Sequence, residues 1–413
     1  MTIVEATVTL SINQNHISLE ELEAQIQEQV MAAGKDLLQK AMQAVEQPFL
    51  DNTNFRKSKR RKHYLLTRFG WIHYTRWQVR SKEGFYSYPL DEVLGLEPRQ
   101  HASPWILQQC ISLATRIPYR QAATLLGQFL DEDLDYRSLY RWVLKAGAKI
   151  VEEEDALQEE VFQHGVIPPR ADQEYEIILS EVDGTFLKAQ REEGSKFEVR
   201  LGFFATGKEL ESETAKYQRY RLKNLVCYAG VETAQNFGER LFLKGEASLG
   251  LSQAQHLLMV GDGAEWIEAL AGHDRWKATY QLDWWHLIHA IRRTFAEFPE
   301  LVHKLKQLLY AGEGDQMIPL VRMAHLQGTG DPEQVEALLQ YLETNQKGFY
   351  GAQTLWGRVS DAGKQVCVQG SGAIEKHVDL RICRRFKGQG MRWTRAGANR
   401  LLKLRVAELA LAA

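Results

Sequence analysis

No stretch of the 413 residues approaches the roughly 20 consecutive apolar residues that a membrane-crossing helix requires. The start, MTIVEATVTL, lacks a basic segment followed by an apolar core and a small-residue cleavage site, so the cytoplasm is the expected compartment. Cysteine is scarce. Cys110, Cys227, Cys367 and Cys383 are widely scattered, without metal-ligand spacing or the look of a disulfide framework, and read as reduced thiols that mostly fill cores. Net charge is close to zero, at −2, so the overall balance points to no nucleic-acid partner. Its distribution does, because basic and acidic residues are segregated into blocks.

The chain is long enough for two or three domains, and its 44% hydrophobic and 25% charged residues are those of a globular protein, so each block is read as part of a fold. Residues 1–50 suggest a strand followed by an amphipathic helix over 18–47. Ser18 and Glu21 form a capping-box pattern, and Leu22, Ile26, Val30, Ala33, Leu37 and Ala41 recur along one helical face. That face suits either its own domain or a second copy of the chain. Residues 51–100 open with FRKSKRRK (55–62), where Arg56, Lys57, Lys59, Arg60, Arg61 and Lys62 are basic. Two short alternating segments broken at Gly70 follow and predict a β-ribbon carrying Tyr64, Phe69, Trp71, Tyr74 and Trp77. Aromatic residues interleaved with cations suit a nucleic-acid surface; a solvated charge run beside a small sheet is the plainer reading.

Residues 101–165 turn helical. Helices over 120–130 and 136–147, joined by a short acidic turn, suit a helix-turn-helix whose second helix offers Arg137, Arg141 and Lys145 to a major groove, or an ordinary helical hairpin. The acidic stretch 152–160 and VIPPR (166–170) look like a linker. From 171 to 286 apolar strands alternate with helices, predicting a mixed α/β sheet. Strands end at Asp183-Gly184 and Asp262-Gly263. Carboxyl ends of strands in open α/β sheets are where ligands collect, and oxygen ligands with no zinc-type cluster in competition suit Mg²⁺ or Mn²⁺. Asp-Gly between apolar residues is also a hairpin-turn signal. Residues 287–368 lose strand character, and 369–413 begin with glycines and turn helical and basic. There Glu375 stands near a helix start, followed by Arg381, Arg384, Arg385, Lys387, Arg392, Trp393 and Arg395. A carboxylate beside such a segment fits a metal site that handles a phosphodiester backbone.

The segments EVDGTFLK, VGDGAEWI, LDWWHLIHAI and GSGAIEKHVDLRICRRFKGQGMRW resemble the blocks of bacterial insertion-sequence DDE transposases, nearest the Mutator-like group of ISLre and ISKra types, once catalogued as an uncharacterised protein family. PLDEVLGL (89–96) and the RIPYRQAATLL stretch resemble its N-terminal part, so the likeness runs from about residue 50 to the end. The resemblance implies an RNase H-like (retroviral integrase-like) catalytic core, interrupted over 287–368 by an all-helical insertion and preceded by an α+β DNA-binding region. It makes Asp183 the first aspartate, on the first strand, Asp262 the second, on the fourth, and Glu375 the glutamate on the late helix. Asp283 and His286 match a D-x-x-H signature and are supporting candidates. Two Mg²⁺ or Mn²⁺ ions per site would serve strand cleavage and then attack of the freed 3′-OH on target DNA. The implied partner is double-stranded DNA, as element ends and target, bound by a homodimer or higher oligomer. An RNase H-fold nuclease without strand transfer and a domesticated DNA-binding protein are the alternatives.

Overall fold

The computed structural model describes residues 3–6, 8–9, 18–51, 55–191, 194–213, 218–355, 357–360, 373–388 and 390–411. Cys367 and the glycines at 370 and 372 lie outside them, as do most of 1–17 and the end of the expected insertion at 361–368. The chain forms two compact units, Met1–Lys145 and Ala146–Ala413. Among the described residues no helix is long and apolar enough to cross a membrane.

In the first unit, α1 (Leu19–Leu50) begins at Ser18, whose hydroxyl accepts from the Glu21 N–H while the Glu21 carboxylate returns a bond to the Ser18 N–H, a complete capping box. The expected apolar face does not become core: Ile26 and Val30 are exposed, and Leu22, Ala33, Leu37 and Ala41 are half-buried. The buried face carries Met42 instead, which packs with Leu65, Ile72, Tyr74, Leu90 and Leu96. The strands β1 (Phe55–Thr67) and β2 (Gly70–Ser81) pair antiparallel, with Gly70 at φ +88° in the turn. The basic octamer does not precede the ribbon; it is the first half of β1. Two buried or half-buried carboxylates brace β2: Glu46 of α1 accepts from the Trp77 N–H at 2.8 Å, and Glu132 from the Trp71 N–H at 3.0 Å. A short β3 (Tyr86–Ser87) and α2 (Pro89–Val93) follow, then α3 (Pro104–Ala114), α4 (Tyr119–Leu130) and α5 (Tyr136–Phe162). Asp131 ends α4 in the left-handed conformation, which turns the chain toward α5.

The acidic stretch at 152–160 is helix, the last turns of α5, and not linker. Its carboxylates have partners distant in sequence: Glu154 pairs with Lys403 at 2.8 Å and Asp155 with Arg240. Buried cations on other elements therefore stabilise a charge run that, read locally, looks like a solvated linker.

The second unit is built on a five-stranded mixed sheet in the order β10-β9-β4-β5-β8. Its strands are β4 (Ile177–Lys188), β5 (Lys196–Ala205), β8 (Val226–Gly230), β9 (His256–Gly261) and β10 (Ala278–Leu282). Strand β5 runs antiparallel to β4 and β8, while β4, β9 and β10 are mutually parallel. The apolar stretch LKNLVCYAGV (222–231), whose pattern predicts a single strand, is broken. Asn224, at φ +48°, separates β8 from β7 (Gln218–Lys223), which forms an unanticipated hairpin with β6 (Gly207–Glu213). One sheet face is covered by α6 (Ala234–Leu249) and α7 (Glu265–Ala271), through Val182, Phe237, Leu241 and Ile267. After β10 come α8 (Trp284–Thr294), α9 (Pro299–Tyr310), α10 (Met317–Leu326) and α11 (Pro332–Asn345), which share their own core of Leu287, Ile291, Leu305, Val321 and Leu338. The chain ends in α12 (Ala373–Val378), which continues through a wider π turn (Asp379–Cys383) into Arg384–Phe386, and in α13 (Arg395–Leu411). The described thiols fit core filling: Cys110 and Cys227 are buried, Cys383 half-buried, and burial pushes the Cys110 thiol up to about 12.

Candidate active site

The two Asp-Gly pairs have different backbones, and neither is a hairpin turn. Strand β4 does not end at Asp183; it continues to Lys188, and Asp183 pairs with Leu201 of β5. What ends near Asp183 is the parallel ladder with β9, whose last pair is Glu181 with Val260. Asp183 therefore stands just beyond the carboxyl end of that ladder. Asp262 leaves β9 directly, and Gly263 at φ +98° lets the chain bend into α7. A side chain there would also meet Tyr341 and Asn345 of α11. The Tyr341 hydroxyl donates to the Asp262 carbonyl at 2.6 Å, so the helical insertion holds this turn.

Asp283 leaves β10 beside Asp262, and its N–H donates to the Gly261 carbonyl at 2.8 Å. It caps α8, accepting from the Trp285 N–H at 3.1 Å, and its other oxygen lies 2.6 Å from His286 Nδ1. Because an ionised carboxylate only accepts, this contact gives Nδ1 the proton and leaves Nε2 facing away from Asp283. Nε2 lies 3.7 Å from Glu375 Oε1 on α12. Asp183, Asp262, Asp283 and His286 line one narrow cleft, closed on the α12 side by Ile374.

The charge balance is strongly acidic. Burial, with the charges of Asp262 and Glu375, pushes Asp183 up to about 6, against the Gly184 N–H and His286. Burial alone would lower His286, yet its bond to Asp283 and the charges of Asp283, Glu375 and Asp262 raise it. Glu181, two residues before Asp183, is also buried and raised well above the carboxylate range, first by desolvation, with Lys208 opposing and Asp283 and Glu375 adding to it. Both Glu375 carboxylate oxygens are shielded from solvent and have no hydrogen-bond partner among the described residues. Buried acceptors left unpaired are costly, and a bound cation would satisfy them. Asp283, His286 and Glu375 can each offer a ligand atom, with all three atoms within 4.8 Å of one another. Carboxylate oxygens with one imidazole are a donor set suited to Mn²⁺ and, through the carboxylates, to Mg²⁺.

The cations singled out in the sequence divide. Arg56, Lys57, Lys59, Arg60, Arg61 and Lys62 are all exposed on β1, with Lys57 and Arg60 over the Trp77 ring at 5.9 and 5.4 Å. Arg137, Arg141 and Lys145 are exposed along α5, Lys145 in an ion pair with Glu97. On the C-terminal segment, Arg384, Lys387, Arg392 and Arg395 are exposed, and Lys387 reaches Thr185 of β4 at 2.5 Å. Arg381, Arg385 and Trp393 turn inward instead. Arg381 lies against Cys227, and its carbonyl accepts from Arg405 at 2.7 Å. The Arg385 guanidinium lies 5.1 Å from the centre of the Trp393 ring, and the Trp393 Nε1–H donates to the Phe386 carbonyl at 2.9 Å. The Trp393 backbone also bonds alongside β4, at Lys188 and Gln190. These three side chains bind the C-terminal segment to the sheet and do not present a surface to DNA.

The sequence reading missed Glu181. Its one signal was a second acid, two residues before Asp183, on a strand otherwise apolar on that face.

The family described as Uncharacterised protein family (UPF0236) matches residues 12–411. The "UPF0236 protein in vanSb 3'region" of Streptococcus gallolyticus is 24% identical over 350 residues, covering 82% of this chain and 71% of that protein. Among solved structures, a chain of the "Drosophila P element transposase strand transfer complex" aligns over 74% of this chain and 78% of its own length. It is 13% identical with a TM-score of 0.24.

Proposed function

The chain belongs to the Uncharacterised protein family (UPF0236), and from its acidic cleft we propose that it is a metal-dependent DDE transposase of the Mutator-like insertion-sequence group. The observation that carries this reading is the convergence on one cleft of carboxylates distant in sequence. Asp183 and Asp262 meet at the end of a parallel ladder, Asp283 and His286 line the same cleft, and Glu375 adjoins it from a late helix through His286. The strand order supports an RNase H-like core for the same reason. Asp183 lies on the first strand of the sheet in chain order, Asp262 follows the fourth, and Glu375 comes after a helical insertion.

In this reading Asp183, Asp262 and Glu375 hold two Mg²⁺ or Mn²⁺ ions. When bound, such ions activate water or a 3′-OH and stabilise the leaving oxygen of a phosphodiester. Asp283 fixes the tautomer and ring direction of His286, which presents Nε2 to Glu375 and adds a nitrogen donor on that side. Tyr341 holds the Asp262 turn. The exposed cations Arg384, Lys387, Arg392 and Arg395 take the phosphate backbone near the cleft, and the β1 cations with Arg137, Arg141 and Lys145 bind the element ends as duplex DNA. A homodimer or higher oligomer brings the two ends together.

The test is cleavage of a duplex carrying the terminal repeats that flank the gene, in Mg²⁺ or Mn²⁺, with transfer of pre-cleaved ends into target DNA as a second assay. Wild-type chain is expected to do both, and Asp183→Asn neither while still binding ends. Cleavage without transfer would make it a nuclease; full cleavage by Asp183→Asn would remove the site assignment.

A further inference from the structure

A glutamate inside a central strand is costly to keep, because a carboxylate buried without full compensation loses its hydration. Glu181 is 2% exposed and lies between Phe203 of β5 and Val260 of β9. On its face of β4 the preceding alternate residues, Ile177 and Leu179, are core. A leucine at 181 would continue that core, so the carboxylate calls for a reason of its own.

Its hydrogen bond supplies one. Glu181 Oε2 accepts the Ile374 N–H at 3.1 Å, in the first turn of α12, where N–H groups lack acceptors within the helix. The tie joins two points that each stand next to a cleft carboxylate: Glu181 is two residues before Asp183, on the same strand face, and Ile374 directly precedes Glu375. Ile374 itself lines the cleft. One bond thus spans the two elements whose separation sets the distance between the first aspartate and the glutamate.

We propose that Glu181 is a positioning residue that locks the start of the Glu375-bearing helix onto the Asp183-bearing strand and so fixes the geometry of the carboxylate site. The ion-dependent part of this role rests on the functional reading above; the tether itself does not. Glu181→Gln keeps an acceptor oxygen at the same reach, whereas Glu181→Leu keeps the volume and removes it.

The full-length chain in both forms is compared with wild type by amide hydrogen exchange, Mn²⁺ titration and strand cleavage. Glu181→Leu is expected to lose about 10-fold or more of the exchange protection over 373–378, and to bind Mn²⁺ about 10-fold or more weakly. Its cleavage rate at saturating Mn²⁺ should fall about 100-fold with KM for DNA little changed, since an error of about 1 Å in a reacting group has that effect. Glu181→Gln should return all three to within a few fold of wild type. Wild-type protection over 373–378 in Glu181→Leu would overturn the tether. Lost protection with unchanged Mn²⁺ affinity and rate would overturn the positioning role. If wild type itself neither binds Mn²⁺ nor cleaves, the functional reading fails while the exchange result still decides the tether.

Discussion

Two basic segments of similar composition meet opposite fates. In β1 every cation from Arg56 to Lys62 faces solvent, although the paired stretch of β2 keeps Arg76 and Val79 buried. In the C-terminal segment Arg381 and Arg385 are as buried as leucines, while Arg384 and Lys387 one or two positions away are exposed. Charge density alone does not say whether a cation meets a phosphate or holds a fold. The helix face decides, and the π turn at Asp379–Cys383 shifts that face midway.

The comparison breaks most readily at Arg385. Arg385→Ala should cost about 3 kcal/mol or more in urea unfolding, as truncating a large side chain buried against aromatic rings does, whereas Arg60→Ala should stay within about 0.5 kcal/mol. Equal stabilities would erase the distinction. Next in size is Asp183→Asn. With its folded pKa pushed up to about 6 from an ordinary 3.8, Asp183 loses stability for the metal-free fold as pH rises from about 4 to 6, and the penalty is complete above that. The asparagine variant should therefore unfold up to about 3 kcal/mol later than wild type at pH 7.5 without divalent ions, with the gain vanishing below about pH 4. A variant no more stable than wild type at pH 7.5 would contradict the burial of that carboxylate.

On the ribbon side, the triple variant Arg60→Ala, Arg61→Ala, Lys62→Ala should weaken duplex binding about 10- to 100-fold and reduce the log–log salt slope by about 3, with Mn²⁺ affinity unchanged. An unchanged salt slope would take the ribbon out of DNA binding. Smallest is Trp77→Leu, which removes the ring under Lys57 and Arg60 and should cost about 1 kcal/mol of stability by thermal unfolding, with a DNA affinity change under about 5-fold.

What could be read in advance followed the range of the interactions involved. The capping box of α1, the ribbon turn at Gly70 and the apolar strands around Asp183 and Asp262 are set by neighbours a few residues away, and their residue types announce them. The helix at 152–160 looks like linker in the sequence because its stabilising partners, Arg240 and Lys403, lie far along the chain. The inward turn of Arg381, Arg385 and Trp393 depends on packing against β4 and α13, which no local pattern encodes. Glu375 is marked locally only by its helix start and basic neighbours, and its role, like the D-x-x-H pair, rests on family resemblance. That Asp283, His286 and Glu375 bring ligand atoms within 4.8 Å of one another is a property of the folded chain.

The most direct test of the acidic cleft is Mn²⁺-dependent strand cleavage of the flanking terminal repeats by wild type, Asp183→Asn and Glu375→Gln, with end binding measured on the same preparations. The account predicts cleavage by wild type and a loss of about 10³-fold or more in each variant, at unchanged affinity for the ends. Wild-type cleavage rates in either variant would contradict it.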